Sequence, residues 1–291
     1  MILKSPAKLN LYLKVLAKRK DNYHNIETIF ERIALFDTLF FKTRSDGKIK
    51  VSCSNKKIPV GKGNIVYRAA ALLQKKFKVK RGIEIRIVKR IPVAAGLAGG
   101  SSNAAYTLLG LNRLWGLKLK KERLIVIAKA LGSDVAFFIY NCSFARGKGR
   151  GEKITALGGL KRVKFWHILA VPKLQVLTPL IYKKWDKNVG TFKLTKAGPG
   201  VKILTSALIK NDLSLISLGL YNNLEKITFK AYPIVKRLRE ELVKLGLKAI
   251  LMSGSGPAVF GIVSSRKEAV SLCGRLKDQH RSWQVFAVRT F

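Results

Sequence analysis

Between residues 92 and 105 the chain reads Pro-Val-Ala-Ala-Gly-Leu-Ala-Gly-Gly-Ser-Ser-Asn-Ala-Ala, a run of small and hydroxyl-bearing residues with a strand signal before it and a helix signal after it. Upstream, Ile83, Ile85 and Ile87 alternate with Glu84, Arg86 and Val88, which predicts a half-buried strand ending near Ile91-Pro92. Downstream, Ser101, Ser102 or Asn103 can cap a helix running through Ala104, Ala105, Leu108, Leu109 and Leu111. Gly96, Gly99 and Gly100 let the backbone approach a ligand closely, and the free N–H groups and dipole of a helix start attract an anion. The expected ligand is a nucleotide phosphate. No lysine lies between Pro92 and Asn112, so this is not a Walker loop, and the Gly-x-Gly-x-x-Gly fingerprint of dinucleotide sites is absent. The competing reading is a Gly/Ala-rich turn that only lets a helix pack closely on a sheet.

The 291 residues, 48% hydrophobic, suffice for a substantial core and suggest two medium domains. The sequence has no uninterrupted apolar run of membrane-spanning length and no signal-peptide pattern at Met-Ile-Leu-Lys-Ser-Pro, so the expectation is a soluble, cytoplasmic protein without a membrane partner. Cys53, Cys142 and Cys273 are scattered, with neither disulfide nor zinc spacing. A net charge of +41 argues at first for nucleic acid. The charge is spread evenly, +24 over residues 1–150 and +17 over 151–291, which favours solvated faces and the steering of anionic substrates over a specific nucleic-acid partner.

Strand-like alternation occurs at Leu9, Leu11, Leu13 and Val15 and from Ile83 to Ile91, and helical periodicity at 64–77, 101–115, 121–131, 201–208 and 232–245. Strands mixed with helices of this length make the chain α/β or α+β. A glycine-rich bend at 146–151 precedes an apolar strand beginning at Phe165, which places a boundary near residue 155, with domains over 1–155 and 156–291. Near the end, two apolar runs flank Ser253-Gly254-Ser255-Gly256-Pro257, a second glycine loop that suggests a two-sided ligand cleft.

Three further segments carry chemistry. In Ser5-Pro6-Ala7-Lys8-Leu9-Asn10-Leu11 the leucines share one strand face, so Lys8 and Asn10 project from the other, where they either orient a hydroxyl or phosphate or simply face solvent. Asp134, after Gly132-Ser133, reads either as the cap of the next helix or as a general base that takes a proton from an alcohol. Asp21-Asn22 is a turn that presents Tyr23 and His24, an aromatic face and an imidazole suited to a nucleobase, or to ordinary packing.

Taken together, these segments resemble the galactokinase, homoserine kinase, mevalonate kinase and phosphomevalonate kinase (GHMP kinase) superfamily. The markers are Ser-Pro-Ala-Lys-Leu-Asn-Leu at 5–11, Tyr-His at 23–24, the loop at 92–105, Leu-Gly-Ser-Asp-Val-Ala-Phe-Phe at 131–138, Gly-Lys-Gly-Arg-Gly-Glu at 147–152 and Met-Ser-Gly-Ser-Gly-Pro at 252–257, in the same order along nearly the whole chain. The first segment with Tyr23-His24 resembles the branch whose acceptor is a cytidine diphosphate-linked methylerythritol. The resemblance implies an α+β fold with an amino-terminal domain of the ribosomal protein S5 domain 2-like type, a carboxy-terminal α+β domain and the active site between them. It implies transfer of the γ-phosphoryl group of ATP, with Mg²⁺, to the 2-hydroxyl of that small-molecule acceptor. Asp134 becomes the general base, and Lys8 the cation that keeps it ionised and assists the hydroxyl. Ala95, Gly96, Leu97, Ala98, Gly99, Gly100, Ser101 and Ser102 hold the ATP phosphates, Ser102 is the hydroxyl near the metal, and Asn64 and Lys89 sit at adenine or ribose. Asn10, Tyr23, His24, Tyr182, Gly254 and Ser255 contact the acceptor, Tyr182 as a second ring on cytosine. The expected assembly is a monomer or weak dimer. Two positions depart from the family pattern: Asn22 stands where glycine is usual, in a turn that asparagine tolerates, and Asn223 stands where aspartate is usual.

Overall fold

The computed structural model describes residues 1–188 and 198–291. In chain order its elements are β1 (Ile2–Lys18), β2 (His24–Arg44), β3 (Ile49–Cys53), α1 (Ile65–Lys76), β4 (Gly82–Val88), α2 (Gly99–Leu114), α3 (Lys121–Leu131), α4 (Val135–Tyr140), β5 (Phe144–Lys148) and β6 (Lys153–Ala156). They continue with β7 (Trp166–Val171), α5 (Thr178–Asn188), α6 (Val201–Lys210), α7 (Leu213–Gly219), β8 (Tyr221–Asn222), α8 (Glu225–Ala231), α9 (Pro233–Lys244), β9 (Ile250–Met252), β10 (Val259–Val263), α10 (Arg266–Gln279) and β11 (Gln284–Arg289). Helices and strands are mixed along the chain, as the periodicity predicts. No helix among the described residues is long and apolar enough to cross a membrane.

The chain forms two compact units, one of residues 1–7, 35–92 and 98–142, the other of 8–34, 93–97 and 143–291. They do not follow a single cut near residue 155, because β1 and β2 are long strands that each give residues to both. In the first unit β2 pairs antiparallel with β4 from Thr38↔Val88 to Arg44↔Gly82, and β3 runs parallel to β4. Helices α1 and α2 pack together, burying Val66, Ala69, Ala70 and Leu73 on one and Ala104, Ala105, Leu108 and Leu111 on the other. In the second unit β2 pairs with β5, β5 with β6, and β1 runs parallel to β8 at Tyr12↔Tyr221. A separate four-stranded sheet has the order β11-β7-β10-β9. Its inward face, with Ile168, Ala170, Val259 and Val285, joins Leu13, Val15, Val235, Leu238, Leu272 and Leu276 in one apolar core.

Two expected boundaries are corrected. Strand β4 ends at Val88 rather than near Ile91, because the backbone N–H groups of Arg90 and Ile91 turn to the carboxylate of Asp37, at 2.8 and 2.9 Å, instead of continuing the ladder. Helix α2 is not capped by Ser101, Ser102 or Asn103. It starts two residues earlier, at Gly99, after Ala98 in the left-handed region (φ 52°), whose carbonyl accepts the first helical bond from Ser102 N–H at 2.9 Å. The serines therefore lie inside the first turn. The expected helices at 64–77 and 121–131 match α1 and α3, with Asn64 capping α1 through a 2.8 Å bond from Val66 N–H.

The loop at 93–97 is fixed from all sides within its unit. The carbonyl of Ala94 accepts from Val176 N–H (3.3 Å), that of Ala95 from Ala258 N–H (3.2 Å), that of Gly96 from the Ser253 hydroxyl (3.1 Å) and that of Leu97 from Lys8 N–H (3.1 Å). Gly96 has φ +78°, and a Cβ there would fall 2.0 Å from the Ser253 carbonyl oxygen, so only glycine fits. Gly96→Ala should therefore cost about 2–4 kcal/mol, combining left-handed strain with the clash. Urea unfolding measures it, and an unchanged midpoint would show that the loop relaxes freely.

Candidate active site

On β1, side chains alternate between faces, and the second unit buries both. Leu9 and Leu11 are inaccessible, and Lys8 and Asn10 on the other face are only 4% and 3% exposed. The solvated reading of Lys8 and Asn10 is thereby removed. The Lys8 ammonium donates to the side-chain oxygen Oδ1 of Asn10 and lies 5.6 Å from the centre of the Phe30 ring. The Asn10 amide nitrogen donates to the Thr28 hydroxyl at 2.8 Å, and that hydroxyl donates to the Tyr12 carbonyl at 2.6 Å. Tyr12 shares the strand face of Lys8 and Asn10. Burial, reinforced by Glu27 and Tyr221 and opposed by Arg146, pushes its phenol up to about 12, so it stays protonated at neutral pH and is no proton acceptor.

The second glycine loop joins this group. Asn10 N–H donates to the Ser253 hydroxyl at 3.2 Å, and the same hydroxyl donates to the Gly96 carbonyl. A Cβ on Gly254 would lie 3.3 Å from both Asn10 Oδ1 and the Gly96 carbonyl oxygen. Asn222 holds the turn, its amide donating to the carbonyls of Met252 and Gly254 at 2.8 Å each. The hydroxyls of Ser255 and Thr178 are 2.8 Å apart. Lys8, Asn10, residues 95–97, Gly254 and Ser255 are thus gathered in one unit by hydrogen bonds between segments up to 243 residues apart.

A second cluster of this unit contains the expected base-binding residues. Asn22 occupies the left-handed region at φ 62°, as its place in a glycine position predicts, and the turn is closed by Arg19 N–H to the Tyr23 carbonyl at 2.7 Å. Tyr23 is 55% exposed, with the Arg150 guanidinium 4.9 Å from its ring centre. His24 is buried, its ring 5.2 Å from that of Tyr182 and its Nε2 2.7 Å from Asp186 Oδ1.

The first unit collects the expected nucleotide residues. Gly99 lies against Lys89 and Ile91, and Gly100 against Ile65 at the start of α1. The Lys89 ammonium pairs with Asp37, which is wholly buried, and Asn64 is occupied by its cap and by a 2.7 Å bond to the Pro59 carbonyl. Lys89 and Asn64 therefore build the walls of this region before they meet any ligand. Gly99, Gly100 and Ser101 begin α2, where N–H groups have no partner within the helix. The Ser102 hydroxyl is buried and has no hydrogen-bond partner among the described residues. Asp134 stands at the N-cap position of α4, and its side chain makes no capping hydrogen bond there.

Several participants escape sequence reasoning. Thr28, Thr178, Asp37 and Asp186 carry no local signature, since each is defined by a partner far away in the chain. Asn222 belongs to the Asn-Asn-Leu-Glu segment, and its signal is a polar pair just before an apolar-periodic helix. Asn223 is explained as well: its side-chain oxygen accepts Val15 N–H at 2.8 Å and extends the pairing of β1.

Sequence comparison adds the family. The pattern of the GHMP kinases N terminal domain matches residues 64–142, and that of GHMP kinases C terminal matches 204–281. These define a kinase of the GHMP class, whose phosphoryl donor is ATP. The chain is 42% identical to the 4-diphosphocytidyl-2-C-methyl-D-erythritol kinase of Brevibacillus brevis over 98% of this chain and 94% of that one, and 37% identical to that of Acetivibrio thermocellus over 99% and 98%. A crystal structure of 4-(cytidine 5'-diphospho)-2C-methyl-D-erythritol kinase superposes with a TM-score of 0.82 at 30% identity, covering both chains completely. A homoserine kinase from Cytophaga hutchinsonii, at 16% identity and TM-score 0.74 over 100% of this chain and 94% of that one, shares the fold. The chain belongs to the 4-diphosphocytidyl-2-C-methyl-D-erythritol kinase family.

Lys89 holds a buried carboxylate, so its removal should be costly whatever it does for a ligand. Lys89→Met leaves Asp37 with only backbone donors and should lower stability by about 3 kcal/mol. Thermal unfolding without nucleotide tests this, and an unchanged Tm would mean that Lys89 is free to serve a ligand alone.

Proposed function

We propose that this protein transfers the γ-phosphoryl group of ATP to the 2-hydroxyl of 4-diphosphocytidyl-2-C-methyl-D-erythritol in non-mevalonate isoprenoid precursor synthesis. The observation that carries the acceptor is the pairing of His24 with Tyr182 in the unit that also holds Lys8 and Asn10. An imidazole next to a tyrosine ring offers a pyrimidine a hydrogen-bonding edge beside an aromatic surface, and a buried cation with an amide suits a polyol. Relatives near 40% identity over almost the entire chain carry the same substrate in their names.

In this reading Asp134 accepts the proton of the 2-hydroxyl while its oxygen forms a bond to the γ-phosphorus and the bond to the ADP oxygen breaks. Lys8 offers positive charge to the oxygen as it becomes nucleophilic, and Asn10 holds the neighbouring hydroxyl. Loop 95–102 holds the phosphates. Four consecutive carbonyls, 94–97, are turned into the protein, which removes the dipoles that would repel an anion. Gly99 to Ser101 supply helix-start N–H groups.

The residues present suit an ion carried by the nucleotide. No group of three or more His, Cys, Asp or Glu side chains that could hold a metal occurs among the described residues, and Mg²⁺ is commonly held by few protein groups together with phosphate oxygens. The unpartnered Ser102 hydroxyl is the group that would reach it, and the ion, when bound, neutralises phosphate charge. Asn64 and Lys89 would border adenine or ribose, Tyr23 and Tyr182 would enclose cytosine, and Gly254 and Ser255 would lie at the acceptor phosphates or hydroxyls.

ATP consumption with the diphosphocytidyl acceptor, compared with homoserine and mevalonate, tests the assignment; turnover of only the latter two would overturn it. Asp134→Asn should lower kcat by about 10²- to 10⁴-fold with nucleotide affinity nearly unchanged. Near-normal turnover would remove Asp134 as the base.

A further inference from the structure

Asp186, near the end of α5, lies outside every motif that identifies the family, yet it touches the imidazole expected to read the acceptor's base. Its Oδ1 is 2.7 Å from His24 Nε2, and its Oδ2 is 2.7 Å from the Lys18 ammonium. The Tyr182 ring, one helical turn before Asp186 on α5, is tilted 33° against the imidazole at 5.2 Å. His24 is therefore held by two groups of a single helix, one at the ring edge and one at the ring face.

We propose that Asp186 is a positioning residue that fixes the tautomer of His24 and thereby makes the site select an amino-bearing pyrimidine, cytosine, over uracil. This rests on the reading of His24 as a base-binding residue given above.

The argument is one of donors and acceptors. Partial burial pushes the Asp186 carboxyl up, but the hydrogen bonds it accepts from the Lys18 ammonium and the His24 ring bring it below its ordinary value. An ionised carboxylate only accepts, so the nitrogen facing it, Nε2, carries the proton. In the neutral ring the other nitrogen, Nδ1, is then an acceptor with its lone pair in the ring plane. No hydrogen bond engages Nδ1 among the described residues, since the contacts of His24 there are made by Nε2 and the ring face. An acceptor in that position pairs with the exocyclic amine of cytosine and faces the O4 oxygen of uracil with repulsion. The opposite tautomer would reverse the preference. Lys18 ties down the second carboxylate oxygen, so Asp186 cannot rotate away without losing an ion pair.

The consequence is measurable in binding rather than chemistry. With the complete chain, KM and kcat are measured at pH 8 for the cytidine diphosphate-linked acceptor and for its uridine counterpart. Asp186→Ala should raise KM for the cytidine acceptor about tenfold and leave kcat within about twofold, with a smaller change for the uridine acceptor, so that discrimination shrinks. Asp186→Asn, whose amide oxygen still accepts from Nε2, should recover part of the loss. Nitrogen-15 spectra of imidazole-labelled protein report the tautomer directly; the chain has three histidines, and His24→Gln identifies the relevant signal by its disappearance. The native ring should show a protonated Nε2 and a bare Nδ1, and Asp186→Ala a mixture. If His24→Gln leaves both KM values unchanged, the base-reading role of His24 falls and this proposal with it. If His24→Gln raises KM for the cytidine acceptor while Asp186→Ala alters neither the discrimination nor the spectrum, the base site stands and the role of Asp186 is refuted.

Discussion

The hydrogen bonds that capture the carbonyls of residues 94–97 govern what this site can hold. Each is an ordinary bond worth about 1 kcal/mol net, and a buried carbonyl left unpaired would cost about as much or more. Their joint effect is electrostatic. A phosphate carries negative charge on every exposed oxygen, so a loop that offered it carbonyls would repel it. Here four successive carbonyls are bound by Val176, Ala258, Ser253 and Lys8, which come from a loop, the second glycine turn and β1. The backbone can satisfy this only by entering the left-handed region at Ala94, Gly96 and Ala98. The loop's sequence is thus set from outside, by strands and turns that leave space for nothing larger than glycine at Gly96.

That dependence separates what the sequence discloses from what it hides. Helices α1 and α3 are legible because their signals are local: Asn64 caps one, Gly132 follows the other, and the apolar spacing between needs no tertiary information. Strand β1 is legible by its alternating leucines. The start of α2 misleads, because three good capping residues follow Gly100 while the helix begins after an alanine in a conformation alanine disfavours, held there by the loop before it. The end of β4 misleads because Asp37, more than fifty residues earlier, diverts two N–H groups. Within the site, Lys8, Asn10 and His24 are recognisable from their motifs, whereas Thr28 and Asp186 acquire roles only through partners that the fold delivers.

The charge of the chain acquires a plainer meaning once its few acids are located. Sixteen acidic residues stand against 57 basic ones, and several of them are structural acceptors. Asp37 receives Lys89 and two backbone N–H groups; Glu31, also wholly buried, receives the Thr290 hydroxyl at 2.6 Å and faces His167 at 3.0 Å; Glu225 receives Met252 N–H. Acids kept for such duties neutralise little of the surface, so the exposed lysines and arginines dominate the field outside. For a kinase whose two reactants both carry phosphates, that field raises the encounter rate with them.

The two asparagines that depart from the family pattern show at what level that pattern is conserved in function. At position 22 the requirement is a backbone at φ 62° that turns the chain into β2, leaving Tyr23 exposed and His24 buried; glycine meets it without strain, and asparagine is among the side-chain-bearing residues that meet it most readily. At position 223 the requirement is an oxygen that accepts Val15 N–H at the end of β1, and the amide oxygen of asparagine provides it as the carboxylate of aspartate would. The amide does so at 8% exposure without placing another charge in the interior. In both cases the letter changes while the dihedral angle or the acceptor is retained. A departure that removed the acceptor at 223 would leave a buried N–H group unpaired on the strand that carries Lys8 and Asn10. Its effect would reach the site through the register of β1, not through any contact with substrate.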